Sequence, residues 1–254
     1  MNRYWAWGLT LLSLLCLVFS SDCSLKNCAV DLPSATPTPC ASYADNFSNS
    51  GALSTNYDFF DAGTQAAGTA AGEGYAITGG YLEDTAGGTT GGLAVVKDAL
   101  FSHSLADYTV QADFEMDSYQ GNLGVFGLAF LTGSNGSFYC FQWNGDASNA
   151  CGNPGEWEIE KNTGSPSVSF TYPAGFCVTN PGYTLGTFVH LKVVVAGDNF
   201  KCYVNYNDGN GDHLIFNTTD STAPYTSGGT GVRTYGILSP NVARVGNFSV
   251  TTCP

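Results

Sequence analysis

Charged side chains are scarce in this sequence, and basic ones are the scarcest. Only 11% of the 254 residues are charged, with 8 Lys and Arg against 21 Asp and Glu, which gives a formal net charge of −13 at pH 7. Most of the basic residues are scattered singly along the chain, at Lys97, Lys161, Lys192, Lys201, Arg233 and Arg244. Because a nucleic-acid site needs clustered Lys and Arg side chains to neutralise phosphates, we expect no nucleic-acid partner.

A long hydrophobic run is also missing. The apolar stretch at residues 7–19 is shorter than the roughly 20 residues of a membrane-spanning helix. It follows Arg3 and precedes small residues, which is the pattern of a signal peptide over residues 1–21, cleaved near Ser20 or Ser21. We therefore expect a chain that is secreted or held on the extracellular surface, without a membrane span after cleavage. A retained signal anchor is the alternative.

No two cysteines have Cys-X-X-Cys spacing, which argues against a structural zinc site. Of the 9 cysteines, Cys16 would leave with the signal peptide. An even number in an exported chain favours disulfides, although eight cysteines allow 105 pairings. Residues 22–41 hold three cysteines and three prolines without periodicity, so we interpret them as an N-terminal leader before one folded domain, residues 42–254.

Helical periodicity is absent from this body, whereas alternation of apolar and polar residues recurs. Val189, Leu191 and Val193 alternate with His190 and Lys192, and a second alternating run at residues 199–206 follows a Gly197-Asp198 turn. This pattern predicts an antiparallel hairpin with one buried face. Further strands are predicted at residues 43–48, 74–84, 91–97, 107–116, 123–131, 137–143, 155–161, 167–172, 213–217, 230–238 and 242–251.

About a dozen short strands without a helix favour an all-β fold, an antiparallel β-sandwich (jelly roll) in a single domain. Residues 49–73 are rich in Gly, Ala and Thr and poor in large apolar side chains. We therefore predict a long surface loop there.

Three short motifs resemble the concanavalin A-like lectins and glucanases, especially their laminin-G-like branch. They are Asp45-Asn46-Phe47-Ser48, the hairpin at 188–206, and the closing stretches 228–236 and 243–250. The resemblance covers about residues 43–251 and implies that the first and last strands lie side by side. Because this superfamily includes sugar binders, glycan hydrolases and adhesion modules, it implies a glycan or polysaccharide partner, or a neighbouring surface protein.

Glu156, Glu158 and Glu160 form the clearest candidate for chemistry. On a strand these three side chains share one face, while Trp157 and Ile159 take the other. The spacing resembles the catalytic strand of the laminarinase and lichenase family, which implies Glu156 as nucleophile and Glu160 as acid/base, with Glu158 replacing the family's central Asp. The alternative is a solvent-facing strand whose charges pair with nearby lysines.

A glycine-rich turn offers a candidate metal site. Asp208, Asn210 and Asp212 place side-chain oxygens at alternate positions, a pattern typical of calcium ligands. The superfamily resemblance also implies calcium as a cofactor. The alternative is a turn whose Asp and Asn side chains hydrogen-bond their own backbone.

Aromatic side chains in or beside predicted loops are candidates for stacking on sugar rings. We select Tyr119, Trp143, Tyr172 and Tyr206 as carbohydrate-binding residues. The three histidines have no spacing typical of a catalytic triad.

The implied pairing of the terminal strands predicts one disulfide. With Phe47 near Phe248, Cys40 lies within one or two residues of Cys253, and we expect these two to be bonded. We also expect a small loop closed by Cys23 and Cys28. The remaining disulfides would join Cys140, Cys151, Cys177 and Cys202.

Three functions are consistent with the sequence. The first is a secreted or cell-surface module that binds glycans, or acts in adhesion, without catalysis. The second is a retaining β-glucan hydrolase that uses Glu156 and Glu160. The third is a structural subunit of an extracellular surface assembly.

Overall fold

The computed structural model describes residues 40–61, 63–85, 92–118, 124–146, 152, 154–165, 168–173, 177–179, 182–237 and 241–253. The predicted signal peptide and the leader up to residue 39 lie outside these ranges, as do Tyr119, Cys23, Cys28 and Cys151. Within the described ranges, no helix is long and apolar enough to cross a membrane.

Strands make up almost all of the regular structure. A 3-10 turn at Ser50–Ala52 leads into the short helix α1 at Leu53–Asn56. The strands are β1 (Ser42–Asp45), β2 (Tyr57–Asp61), β3 (Ala67–Gly68), β4 (Tyr75–Thr78), β5 (Tyr81–Asp84), β6 (Gly92–Val96), β7 (Asp107–Met116), β8 (Val125–Thr132), β9 (Phe138–Asn144), β10 (Glu156–Asn162), β11 (Phe170–Thr171), β12 (Cys177–Thr179), β13 (Val189–Ala196), β14 (Asn199–Asn205), β15 (His213–Thr219), β16 (Gly229–Tyr235) and β17 (Ala243–Thr251).

The strands form two antiparallel sheets. Sheet 1 has the order β15-β14-β13-β7-β17-β5-β4, and β1 also pairs with β17. Sheet 2 has the order β11-β10-β9-β8-β16-β6-β2-β3, and β12 also pairs with β10. The predicted all-β sandwich is confirmed, and the first and last strands of the described chain lie side by side.

The main core lies between the sheets because both supply alternating apolar residues. In β7, Tyr108, Val110, Ala112 and Phe114 are buried, and the intervening residues are more exposed. The predicted hairpin is β13 and β14, which pair from His190 to Ala196 with the same alternation. Period-2 patterning therefore predicted sheet 1 well, since one of its faces is buried and the other is exposed to solvent.

Sheet 2 differs because its central strands are buried on both faces. Every residue of β8, β9 and β10 is buried. One face joins the inter-sheet core. We call the opposite side the outer face, and it carries a separate apolar cluster made of Leu93, Val95, Ala129, Phe138 and Cys140. The outer face of sheet 2 is therefore covered by other parts of the protein.

The prediction of a long loop at residues 49–73 is wrong. Strand β2 lies there and pairs with β6 along its whole length. Tyr57 and Phe59 of β2 are 2% and 6% exposed in the inter-sheet core. Two buried aromatic residues were enough to make a strand, because burying such rings is strongly favourable. The short strand β12 was also missed, and residues 74–84 form two strands, β4 and β5.

The structure contains the predicted disulfide between Cys40 and Cys253, with Cα atoms 5.4 Å apart. Asp45 lies opposite Phe248 in the β1–β17 pair, so the register differs by two residues from the predicted one and aligns the two cysteines directly. Cys177 is also disulfide-bonded. The prediction for Cys140 and Cys202 is wrong, because both are free, buried thiols. Cys140 belongs to the outer-face cluster and Cys202 to the inter-sheet core, so they lie on opposite faces of sheet 2.

Candidate functional site

The three glutamates of β10 project together from the outer face of sheet 2. Glu156, Glu158 and Glu160 are only 3%, 0% and 5% exposed. The alternative of a solvent-facing strand is therefore wrong. Lys161 takes the other face and pairs with Asp220 at 2.6 Å.

Amide side chains on the neighbouring strand contact two of these carboxylates, Glu158 and Glu160. Gln142 of β9 lies opposite Glu158, and its Nε2 donates to Glu158 Oε1 at 2.5 Å. The same nitrogen lies 3.4 Å from Glu160 Oε2. Asn144 Nδ2 also donates to Glu158 Oε1, at 2.8 Å. These bonds hold Glu158 in one orientation and offset part of the free-energy cost of burying it.

A single guanidinium completes this network from strand β16. Arg233 and Gln142 both pair with Gly127 of the intervening strand β8, so the arginine faces Gln142 across a residue without a side chain. Its Nη1 lies 3.0 Å from Glu160 Oε1 and donates to Gln142 Oε1. Among the described residues its buried Nε has no hydrogen-bond partner. This N–H is therefore a buried donor whose hydrogen-bonding capacity is unsatisfied.

A cavity of about 330 Å³ opens beside the network. Its described lining combines aromatic rings, amides, two carboxylates, the guanidinium and backbone from the β2–β3 loop, and consists of Gly63, Gly124, Val125, Gln142, Asn144, Asp146, Glu160, Phe170, Tyr172, Arg233 and Tyr235. The volume is in the lower part of the range typical of small-ligand sites.

Aromatic rings surround the guanidinium at the cavity. The ring centroids of Phe138, Tyr235 and Phe170 lie 5.3, 5.7 and 6.0 Å from Arg233 Cζ. Phe170 is 43% exposed, and Tyr172 beside it is half-buried. Exposed rings of this kind provide flat apolar surfaces for a ligand.

The selected aromatic residues have different positions. Tyr172 lines the cavity, as a binding role requires. The prediction that Trp143 binds carbohydrate is wrong. Trp143 is 3% exposed and stacked on Phe126 in the inter-sheet core, where no ligand can reach its face. Tyr206 accepts a hydrogen bond from Trp157 Nε1 at 3.0 Å and does not line the cavity. Tyr119 lies outside the described residues.

Proton affinities in the site follow from burial. Burial raises the pKa of Glu158 and of Glu160, while Arg233 opposes the increase for both. Burial, together with the charges of Glu160 and Glu158, raises the pKa of Tyr172 to about 12. The Tyr172 hydroxyl is therefore a hydrogen-bond donor at neutral pH.

The turn at residues 208–212 is closed by its own contacts. Asp208 accepts from the backbone N–H of Asn210 at 2.9 Å and from its Nδ2 at 3.0 Å. Asp212 is paired with Lys192. Within the described residues, no group of three or more His, Cys, Asp or Glu side chains is placed to hold a metal ion. These contacts favour the turn alternative, and this arrangement does not fit calcium without rearrangement.

Comparison with known proteins gave matches among solved structures. No family model matches this chain, and no curated protein matches it. The lumenal domain of VIP36 in its Ca²⁺- and mannose-bound form is similar, with a TM-score of 0.53 and 14% identity over 83% of this chain and 88% of that one.

Two other solved structures are similar at the same level. The CBM2 module of the evolved Dit protein of Lactobacillus casei BL23 phage J-1 has a TM-score of 0.54 and 12% identity over 84% of this chain and 97% of that one. The GH43 protein BlXynB from Bacillus licheniformis has a TM-score of 0.54 and 13% identity, over 82% of this chain but 38% of that one. At such identities the likeness shows the fold alone, which is an antiparallel β-sandwich.

Proposed function

We propose that this chain is a secreted or cell-surface module that binds glycans without catalysis, and that the cavity on the outer face of sheet 2 is its sugar site. The observation that carries this proposal is the combination of exposed rings and buried, oriented polar groups in one cavity. The similar VIP36 domain and CBM2 module are, by their names, a mannose-bound domain and a carbohydrate-binding module, which supports the proposal. We also propose that the chain belongs to the laminin-G-like branch of the concanavalin A-like superfamily.

The chemistry of the cavity suits a sugar. A pyranose presents an apolar face of C–H groups, which packs on rings such as Phe170 and Tyr172. Its hydroxyl groups both donate and accept hydrogen bonds. The Tyr172 hydroxyl offers a donor, and the carboxylate of Glu160, which pairs with Arg233, offers an acceptor. Because these groups are already oriented, binding loses little side-chain entropy.

Replacing Phe170 with Ala tests the site. We expect a glycan found on an array to bind about tenfold more weakly, since a lost stacking contact is worth about 1 kcal/mol. Leu214→Ala is the matched control, because Leu214 is 52% exposed on β15 and does not line the cavity. Failure of the unaltered protein to bind any polysaccharide would refute the proposed function. Equal weakening by both variants would refute the position of the site.

Calcium at residues 208–212 stays a prediction. A lectin that needs calcium there would lose binding in excess chelator and regain it at millimolar calcium. Asp208→Asn would abolish that dependence. Binding that is unchanged by chelator would instead agree with the closed turn described above.

One observation favours hydrolysis as a second candidate. Glu160 lines the cavity and has a raised pKa, as an acid/base residue requires. Glu156, its implied nucleophile, is not among the described lining residues. Reducing ends released from laminarin, lichenan, agarose or carrageenan would support hydrolysis. Equal activity of the Glu156→Gln variant would refute the assignment of the nucleophile.

A further inference from the structure

The positive charges of residues 40–254 are few enough to be located individually. All six lie in described residues, and Arg233 is the one base among the described cavity-lining residues. Four others are paired elsewhere, and Lys201 is exposed on β14 of sheet 1. The pairs are Lys97 with Asp58, Lys161 with Asp220, Lys192 with Asp212, and Arg244 with both Glu83 and Glu115.

The segments left undescribed after residue 40 do not alter this count. They are residues 62, 86–91, 119–123, 147–151, 153, 166–167, 174–176, 180–181, 238–240 and 254, and the sequence has no Asp, Glu, Lys or Arg at any of these positions. Within residues 40–254, the cavity therefore has two lining carboxyl groups, Asp146 and Glu160, and one guanidinium.

The Arg233 guanidinium is already paired with other side chains of the protein. Arg233 lies 3.0 Å from Glu160 and has only 4% of its side chain exposed. Its Nη1 also donates to Gln142. An anionic ligand would have to compete with Glu160 for Arg233 and approach the Asp146 carboxylate. An uncharged hydroxyl needs no cation, so it can enter the cavity without competing for Arg233.

We propose that the cavity accepts uncharged sugar units and discriminates against units that carry carboxylate or sulfate groups. This inference rests on the proposed glycan-binding function. Discrimination arises because a ligand anion gains no unpaired cation and loses its hydration on entering. Asp146 and Glu160 set this selectivity.

Matched neutral and sulfated polymers test the inference. The probes are laminarin and laminarin sulfate, and dextran and dextran sulfate, with dissociation constants measured at low and high salt. We expect at least about tenfold tighter binding of the neutral member at low salt, with the ratio falling as salt screens the charges. The protein's net charge of −13 also repels sulfated chains, so the local effect must be separated from it.

Asp146→Asn makes that separation, with Asp198→Asn as its control. Both change the net charge equally, but Asp198 is exposed in the β13–β14 turn, away from the cavity lining. Asp146→Asn should narrow the neutral-to-sulfated ratio at least about threefold, and Asp198→Asn should leave it nearly unchanged. Glu160→Gln, which frees Arg233, should narrow it further.

The outcomes distinguish the two proposals. If no probe and no array glycan binds, the proposed function falls and this inference falls with it. If the sulfated polymers bind as tightly as the neutral ones, the inference is overturned while glycan binding stands. Equal ratios for Asp146→Asn and Asp198→Asn would also overturn it, since the discrimination would then come from net charge alone.

Discussion

Replacing Arg233 with Met should reveal the energy of the buried ion pair. Arg233 and Glu160 are 3.0 Å apart, with side chains only 4% and 7% exposed. The substitution keeps an apolar stem of similar length but leaves Glu160 buried without its cation. Removing one partner of such a pair typically destabilises a protein by about 3–5 kcal/mol. For a domain of this size, about 2–4 °C of melting temperature corresponds to each kcal/mol, so we expect a decrease of about 6–20 °C.

Arg244→Met is the matched control for this measurement. Arg244 also pairs with two carboxylates, Glu83 and Glu115, but its side chain is 27% exposed. Water can solvate the carboxylates once the arginine is removed, so the loss should be about 1 kcal/mol. Urea unfolding at pH 7 would give both values. Similar losses for the two variants would refute the claim that Arg233 is buried with its partner.

A double variant sharpens the test. Glu160→Gln combined with Arg233→Met removes both charges, so no uncompensated ion remains. We expect the pair of changes to destabilise less than Arg233→Met alone, because the dominant penalty is the unpaired carboxylate. If the two single losses simply add, the residues do not interact and the description of the site is wrong.

Three further predictions concern other parts of the chain. We expect the same decrease in the free energy of unfolding for Cys40→Ser, for Cys253→Ser and for the double variant, up to about 5 kcal/mol for so long a loop. Additive losses in calorimetry would contradict the disulfide. Burial raises the pKa of Glu158, so the free energy of unfolding decreases as pH rises from the ordinary glutamate pKa through the raised one, and this loss is absent below both. The stability of Glu158→Gln relative to the parent should therefore be higher at pH 7 than at pH 4, and the opposite trend in urea unfolding would refute this. Lys161→Met removes the cation that pairs with Asp220, so amide exchange at residues 220–223 and 225 should become faster, which unchanged protection would contradict.

The sequence predicted sheet 1 better than sheet 2 for a physical reason. A strand with one wet face alternates visibly, as β7, β13 and β14 do. In β8 and β9 both faces are buried, so the alternation weakens and only apolar runs mark the strands. Strand β2 was missed because its two core rings, Tyr57 and Phe59, follow a Ser- and Asn-rich stretch.

The candidate site was predicted only where its geometry is local. That Glu156, Glu158 and Glu160 share a face follows from strand period alone. Their partners could not be read from the sequence, because Gln142 and Arg233 reach the glutamates through the order of strands in sheet 2. Trp143 was wrongly selected, since its position beside a loop did not reveal which face of β9 it occupies.

The outer face of sheet 2 has an apolar part and a charged part, and the two can be compared. One part is the apolar cluster that includes Leu93, Phe138 and Cys140, all fully buried. The adjoining part buries Glu158, Glu160 and Arg233 in the same sheet. Apolar residues of similar volume usually stabilise a protein as well as a buried ion pair or better.

Because the sheet accommodates an apolar covering over part of this face, the fold does not require charges over the rest. The polar network therefore needs another explanation than stability. Binding supplies one, since oriented donors and acceptors beside an open cavity gain their free energy when a ligand with matching hydroxyl groups enters. Glu160 and Arg233, which are costly to bury on this face, are also the charged pair that lines the cavity.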